Sequence, residues 1–248
     1  MKTLIVFGLL LLFLISAQFS RAQSVDEILE KYANARGGKE KLNSIKSIYM
    51  EGSREMMGNE VTVKITKEQG KLSRTEFEVA GKTGFFLVTE KEAWNFIPMR
   101  SPEPAKLPDS AVAPLQTELD IAGPLIDYAA KGHSATLEGK ETIDGKDCYK
   151  IKLITKAGKT FHYWIDATTY LLVQSSTKGG GMFGGGRRGG GDNEILTLYK
   201  DYRDEGGILF PHSIEMKNPA GTGPGGGGTT FDLFEINKPV DPKLYKPA

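Results

Sequence analysis

The clearest hairpin pattern in this chain runs from Cys148 to Val173. Tyr149, Ile151 and Leu153 alternate with Lys150 and Lys152, Ala157-Gly158-Lys159 supplies a turn, and Phe161, Tyr163 and Ile165 line one face of the returning segment. A period of two sends alternate side chains to opposite faces of a pleated strand. A chain patterned this way over most of its length buries its apolar side chains by pairing strands.

The same period begins at Ile48. Val61, Val63 and Ile65 alternate with polar neighbours; Leu72, Arg74, Glu76 and Glu78 share one face of the next segment, and Thr75, Phe77 and Val79 the other. Phe85 to Thr89 and Ala93 to Ile97 read as two more strands joined by Glu90-Lys91-Glu92. Short strands with turns at close intervals predict an antiparallel meander. From His133 the chain returns to strands, including Ile195 to Tyr202, Ile208 to Met216 and Thr229 to Ile236, before a terminal tail over Pro239 to Pro247.

Helical periodicity is confined to two places. Ser24 to Tyr32 places Val25, Ile28, Leu29 and Tyr32 on one face, with Ser24 and Glu27 at capping-box spacing. Gly37-Gly38 ends or interrupts this helix, and Lys39 to Ser44 predicts a further turn that points Leu42 and Ile45 inward. Residues 98–112 carry Pro98, Pro102, Pro104 and Pro108, which excludes regular structure there. Leu115, Leu119, Ala122 and Ile126 then recur at helical spacing, with a break or kink expected at Gly123-Pro124.

The first 22 residues read as an export signal. Lys2 precedes an apolar run from Thr3 to Ile15, and Ser20-Arg21-Ala22 places small residues for cleavage after Ala22. A single domain over 23–248, exported from the cytoplasm, is expected. No other stretch is apolar enough to span a membrane, and the one cysteine, Cys148, lies far from the cleavage site, so lipid anchoring is not expected. Without a disulfide the domain must rely on its core; Cys148 reads as a small strand residue.

Composition narrows the function classes. With 32 Lys and Arg against 31 Asp and Glu, the chain lacks the basic excess of a nucleic-acid binder. His133, His162 and His212 show no metal-pair spacing, and no metal or cofactor is expected. No G-x-S-x-G elbow is present and no carboxylate pair stands out, so an enzyme is not expected. Residues 179–191 (GGGMFGGGRRGGG) and 221–228 (GTGPGGGG) lack a phosphate-loop Lys-Ser/Thr and read as mobile hairpin loops. The aromatic residues Phe77, Phe85, Phe86, Trp94, Phe96, Phe161, Tyr163 and Trp164 lie on neighbouring strands. They either fill a core or line a cavity, since large curved sheets enclose more apolar surface than they fill.

The order of these elements resembles the LolA-like superfamily, in particular its outer-membrane lipoprotein-sorting branch. The likeness rests on Lys71-Leu72-Ser73-Arg74-Thr75-Glu76, on Glu92-Ala93-Trp94-Asn95-Phe96-Ile97-Pro98 as a W-x-[YF]-x-P strand ending, and on Gly123-Pro124-Leu125-Ile126-Asp127-Tyr128. It continues through Gly145 to Ile151, Tyr163-Trp164-Ile165-Asp166, Asp201-Tyr202-Arg203-Asp204 and Gly207 to His212. The resemblance implies a mainly β fold: a strongly curved antiparallel sheet forming an unclosed half-barrel, covered by an N-terminal helix and a helical lid insertion. It implies a monomeric periplasmic carrier of lipoprotein acyl chains or another lipid-like ligand, served by membrane-associated donor and acceptor proteins. The cavity would be lined by Phe77, Phe86, Trp94, Phe96, Leu119, Tyr163 and Ile165. Arg74 matches best the strand arginine that bonds to the lid. An envelope sensor or scaffold of the same fold, binding a protein partner, is the alternative.

Overall fold

The computed structural model describes residues 23–56, 59–79, 81–178, 194–217 and 227–247. The export signal over 1–22, loop 179–191 and most of loop 221–228 lie outside the described residues; Gly227 and Gly228 already belong to a strand.

Helix α1 (Val25–Ala35) starts where Ser24 accepts the Glu27 N–H at 3.2 Å, and it buries Ile28, Leu29, Tyr32 and Ala33. A side-chain cap of this kind contributes about 1 kcal/mol. The short α2 (Lys39–Ser44) buries Leu42, and Ile45 follows it inward.

Among the described residues thirteen strands then form one antiparallel sheet: β1 (Ser47–Met56), β2 (Asn59–Glu68), β3 (Leu72–Val79), β4 (Lys82–Thr89), β5 (Ala93–Phe96), β6 (Ala105–Lys106), β7 (Ser134–Ile143), β8 (Lys146–Ile154), β9 (Thr160–Asp166), β10 (Leu172–Lys178), β11 (Glu194–Asp204), β12 (Leu209–Lys217) and β13 (Gly227–Ile236). Their spatial order is β6-β5-β4-β3-β2-β1-β13-β12-β11-β10-β9-β8-β7. The chain thus winds outward from β1 to one edge at β6, crosses to the opposite edge at β7, and winds back to pair β13 with β1. The sheet is not closed into a barrel: β6 and β7 remain its two edges. Both Gly-rich segments join neighbouring antiparallel strands, β10 to β11 and β12 to β13, as hairpin connections do.

The crossing from β6 to β7 forms the lid. It begins with α3 (Asp109–Leu115) and a 3-10 turn (Gln116–Leu119) and continues as irregular turns to His133. Two expectations change here. Residues 98–112 do contain regular structure, the two-residue β6 and the start of α3, because Pro108 precedes the helix and Pro114 falls in its last turn. Beyond Leu119 the helical spacing does not produce a helix, although Leu115, Leu119, Ala122 and Ile126 are all buried as their pattern predicts. Gly123, with φ 91°, and Pro124 stop helical propagation, and tertiary burial rather than local periodicity places these side chains.

The lid is tied down along its length. Gly70 N–H donates to Leu119 O at 2.9 Å, Ile121 N–H to Gln69 Oε1 at 2.8 Å, and Lys131 pairs with Asp120 at 2.7 Å. Arg36, at the end of α1, donates to Tyr32 Oη, Ala122 O and Leu209 O, joining helix, lid and β12 through one buried guanidinium.

Candidate ligand-binding face

Strand register decides which side chains share a face. Ile48 pairs with Lys67 and Ile236, Met50 with Ile65 and Phe234, Val63 with Phe77, and Thr75 with Phe86. This face also carries Val88 and Ala93 under α3, and Tyr149, Ile151, Leu153, Tyr163 and Ile165 under α1 and the lid. It is the inner face. Lys67 on β2 reaches Glu118 of the lid at 3.6 Å. The curvature of the face shows in the core: Ile48 on β1 and Ile151 on β8, six strand spacings apart, belong to one buried cluster with Leu29 of α1 and Ile126 of the lid. On a flat sheet six strand spacings span roughly 29 Å, so the two halves curl toward one another around the lid.

Five of the seven residues expected to line a cavity lie on this face or on the lid over it. Phe77 and Phe86 form a cluster with Val63, their rings 5.7 Å apart, flanked by the half-buried Ile65, Val79 and Ile97. Leu119 packs from the lid against Val88 and Ala93. Tyr163 and Ile165 belong to the main core, where Tyr163 stacks with the half-buried Phe161. Trp94 and Phe96 are elsewhere. Trp94 pairs with Leu87 and Phe96 with Phe85, on the outer face, where they pack with Leu72 beneath Val240, Leu244 and Tyr245 of the C-terminal tail. A shift of one residue exchanges the faces of a strand, and consecutive aromatics at Phe85 and Phe86 give no cue to which points inward.

Arg74 likewise faces outward. It donates to Glu76 at 2.9 Å, to Leu244 O at 3.3 Å and to Lys246 O at 2.9 Å, and its guanidinium lies 4.3 Å from the Phe85 ring centre. Its partners are thus the tail and its own sheet face rather than the helical lid. A groove of about 450 Å³ opens beside it, lined by Arg74, Glu76, Thr83, Phe85, Phe96, Pro104 and Pro247.

The inner face is not wholly apolar. Tyr163, Tyr199 and Tyr202 are held protonated by burial; Tyr199 is pushed up to about 12 and its hydroxyl lies 3.0 Å from Ser175 Oγ. Register places Arg54 on this face, where burial lowers its pKa. Sequence reading named Tyr163 but overlooked Tyr199, Tyr202 and Arg54. Their signal was modest: Tyr199 sits in phase with Ile195 on its strand.

Cys148 is fully buried and free. His212 is buried with Nδ1 2.8 Å from Phe231 O, and His133 Nδ1 accepts the Lys156 N–H. Among the described residues no three His, Cys, Asp or Glu side chains gather as a metal site, and no helix is long and apolar enough to cross a membrane.

No family model matches the sequence, and no curated protein matches it. Solved structures do match. A LolA superfamily protein from Nitrosomonas europaea superposes with a TM-score of 0.57 at 15% identity, covering 91% of this chain and 99% of the other. A DUF1329 family protein from Desulfovibrio piger gives 0.56 at 13% identity, covering 91% and 98%. A domain from Vibrio parahaemolyticus described as an outer membrane lipoprotein-sorting protein gives 0.53 at 12% identity, covering 90% and 95%. The chain has a LolA-like fold.

Proposed function

We propose that this chain is a non-enzymatic periplasmic carrier or binding protein for lipid-like cargo, held on the inner face of the half-barrel. The observation that carries this reading is the unfinished burial of that face. Met50, Ile65, Phe161, Tyr199, Ile214 and Met216 point to the concave side yet stay only half-buried, in a sheet whose helices cover just part of it. Moving an acyl chain from water onto such a surface gains roughly 0.8 kcal/mol per methylene. The likeness to a lipoprotein-sorting domain supports lipoprotein acyl chains as one cargo class, passed between membrane-associated donor and acceptor proteins.

The proposed lining is this half-buried set together with Phe77, Phe86, Leu119, Tyr163 and Ile165, which are buried behind it. Uptake of a fluorescent fatty acid tests it. Phe86→Asp is expected to abolish uptake, while Phe96→Asp, on the outer face, is expected to leave it intact in a folded protein. The reverse result would move the site to the outer groove. Mass spectrometry of lipids extracted from the purified protein should show co-purifying acyl chains.

The sensor or scaffold reading has one observation in its favour. β7 is a ten-residue, largely exposed edge strand with one side unpaired in the sheet, a surface that an extended segment of a partner can join. A proline at an outward-facing N–H of β7 would abolish partner capture under that reading and leave fatty-acid uptake unchanged under the first.

A further inference from the structure

Lys159 sits on the inner face, and among the described residues it is the lysine whose pKa burial depresses. It follows the β8–β9 turn, where its N–H donates to Thr155 Oγ1 and its carbonyl accepts the Thr155 N–H. Its position two residues before Phe161 puts it in phase with Phe161, Tyr163 and Ile165. The ammonium rests over the Phe161 ring, 4.9 Å from its centre. Among the described residues it makes no ion pair within 4 Å; the acid that acts on it, Glu118, is bound to Lys67 instead. Desolvation therefore lowers the Lys159 pKa, with Glu118 only partly opposing. A half-buried cation with no direct counter-ion costs stability unless something compensates its charge.

The surroundings specify the compensating group. One side of Lys159 is aromatic, through Phe161 stacked on Tyr163. Glu118 of the lid is already paired with Lys67 at 3.6 Å, which leaves the positive charge of Lys159 in excess. A neutral alkyl chain would leave this excess unpaired, and a cationic head group would be repelled. An amphiphile with an anionic head answers both needs: its chain covers the apolar strip and its head pairs with an ammonium.

We propose that Lys159 forms an anionic head-group subsite, so that the cargo is an amphiphile ending in a carboxylate or phosphate. The inference rests on the carrier reading and adds the head-group chemistry to it. In water-excluded surroundings a charge-assisted hydrogen bond discriminates strongly between a charged and a neutral head of the same chain.

The test compares four probes on the full chain by calorimetry, each below its micelle-forming concentration: dodecanoate, dodecyl phosphate, dodecanol and inorganic phosphate. Both anionic amphiphiles are expected to bind about tenfold tighter than dodecanol, and inorganic phosphate not at all. Lys159→Met keeps the side-chain stem over Phe161 and should remove the preference while leaving dodecanol binding unchanged; Lys159→Arg should retain the preference. Equal affinity of dodecanoate and dodecanol for the unmodified protein, or a preference that survives Lys159→Met, overturns the subsite and leaves the carrier reading standing. Binding of inorganic phosphate with no binding of any chain overturns both, as does failure of every probe.

Discussion

Gly52 shows what a single position decides in this sheet. It sits at a register break in β1, opposite Phe231, where an added Cβ would fall 1.9 Å from the Thr230 carbonyl oxygen. The obstacle is backbone of the neighbouring strand, so no rotamer change relieves it. Gly52→Ala should therefore cost about 3 kcal/mol or more, seen as a lowered urea midpoint at unchanged slope. Gly228, also within a strand but with nothing near its Cβ position, should accept alanine within about 0.5 kcal/mol. Equal costs at the two sites would show that the close approach is not what fixes Gly52. Nothing near Gly52 in sequence announces its close approach, because the atom that crowds it comes from a strand at the far end of the chain. The same limit applies to Trp94 and Phe96. Their alternation with Ala93 and Asn95 announces a strand with two faces, but the inward face is settled only by where the lid and the tail land.

Among the elements, those with local causes were legible. The Ser24 cap, the β8–β9 hairpin and the turn at Glu90–Glu92 all follow from neighbours in sequence. The lid was legible as a buried segment but not as a conformation, since Leu119, Ala122 and Ile126 are positioned by Gln69, Arg36 and the core rather than by their own helical bonds. The C-terminal tail was the least legible. Its short 3-10 turn (Pro242–Tyr245) carries Leu244 and Tyr245 onto Leu72, Phe85 and Trp94, and Tyr245 donates its hydroxyl to Glu68. Glu68 also bonds Lys71 at 2.6 Å, and the hydrogen bonds from Lys71 and then Tyr245 hold its carboxyl below the usual range. A depressed carboxylate contributes stability that is fully present above the ordinary glutamate value of about 4.3 and is lost as pH falls through the lower folded value. Acidification through that window should loosen the tail. In a Trp164→Phe background, Trp94 emission should shift to the red there, and Glu68→Gln should remove the acid step. A shift that persists in Glu68→Gln would assign the step to another group. Arg74→Met, which removes the bonds to Leu244 O and Lys246 O, should produce the red shift at neutral pH.

At the scale of the molecule, the chain's two ends meet in the middle of its sheet. Most pairings join strands adjacent in sequence, as β2 with β3 or β8 with β9, and need only short loops. The β1–β13 seam is different: Ile48 faces Ile236, about 190 residues away along the chain, so its closure carries a large loop entropy that no local turn offsets. Everything proposed for the inner face depends on that seam, because it joins the half that carries Phe77 and Phe86 to the half that carries Tyr163 and Lys159. The two meanders should therefore form before the seam closes. Ile48→Ala and Ile151→Ala each empty a fully buried site and should cost about 2–5 kcal/mol. They should divide that cost differently. Ile48→Ala, at the seam, should appear mainly as faster unfolding, with the refolding rate nearly unchanged. Ile151→Ala, inside the local β8–β9 hairpin, should slow refolding. Stopped-flow refolding and unfolding across a urea series measures both rates. A refolding rate cut as deeply by Ile48→Ala as by Ile151→Ala would mean that the seam belongs to the folding nucleus, and that the half-barrel assembles from its centre outward.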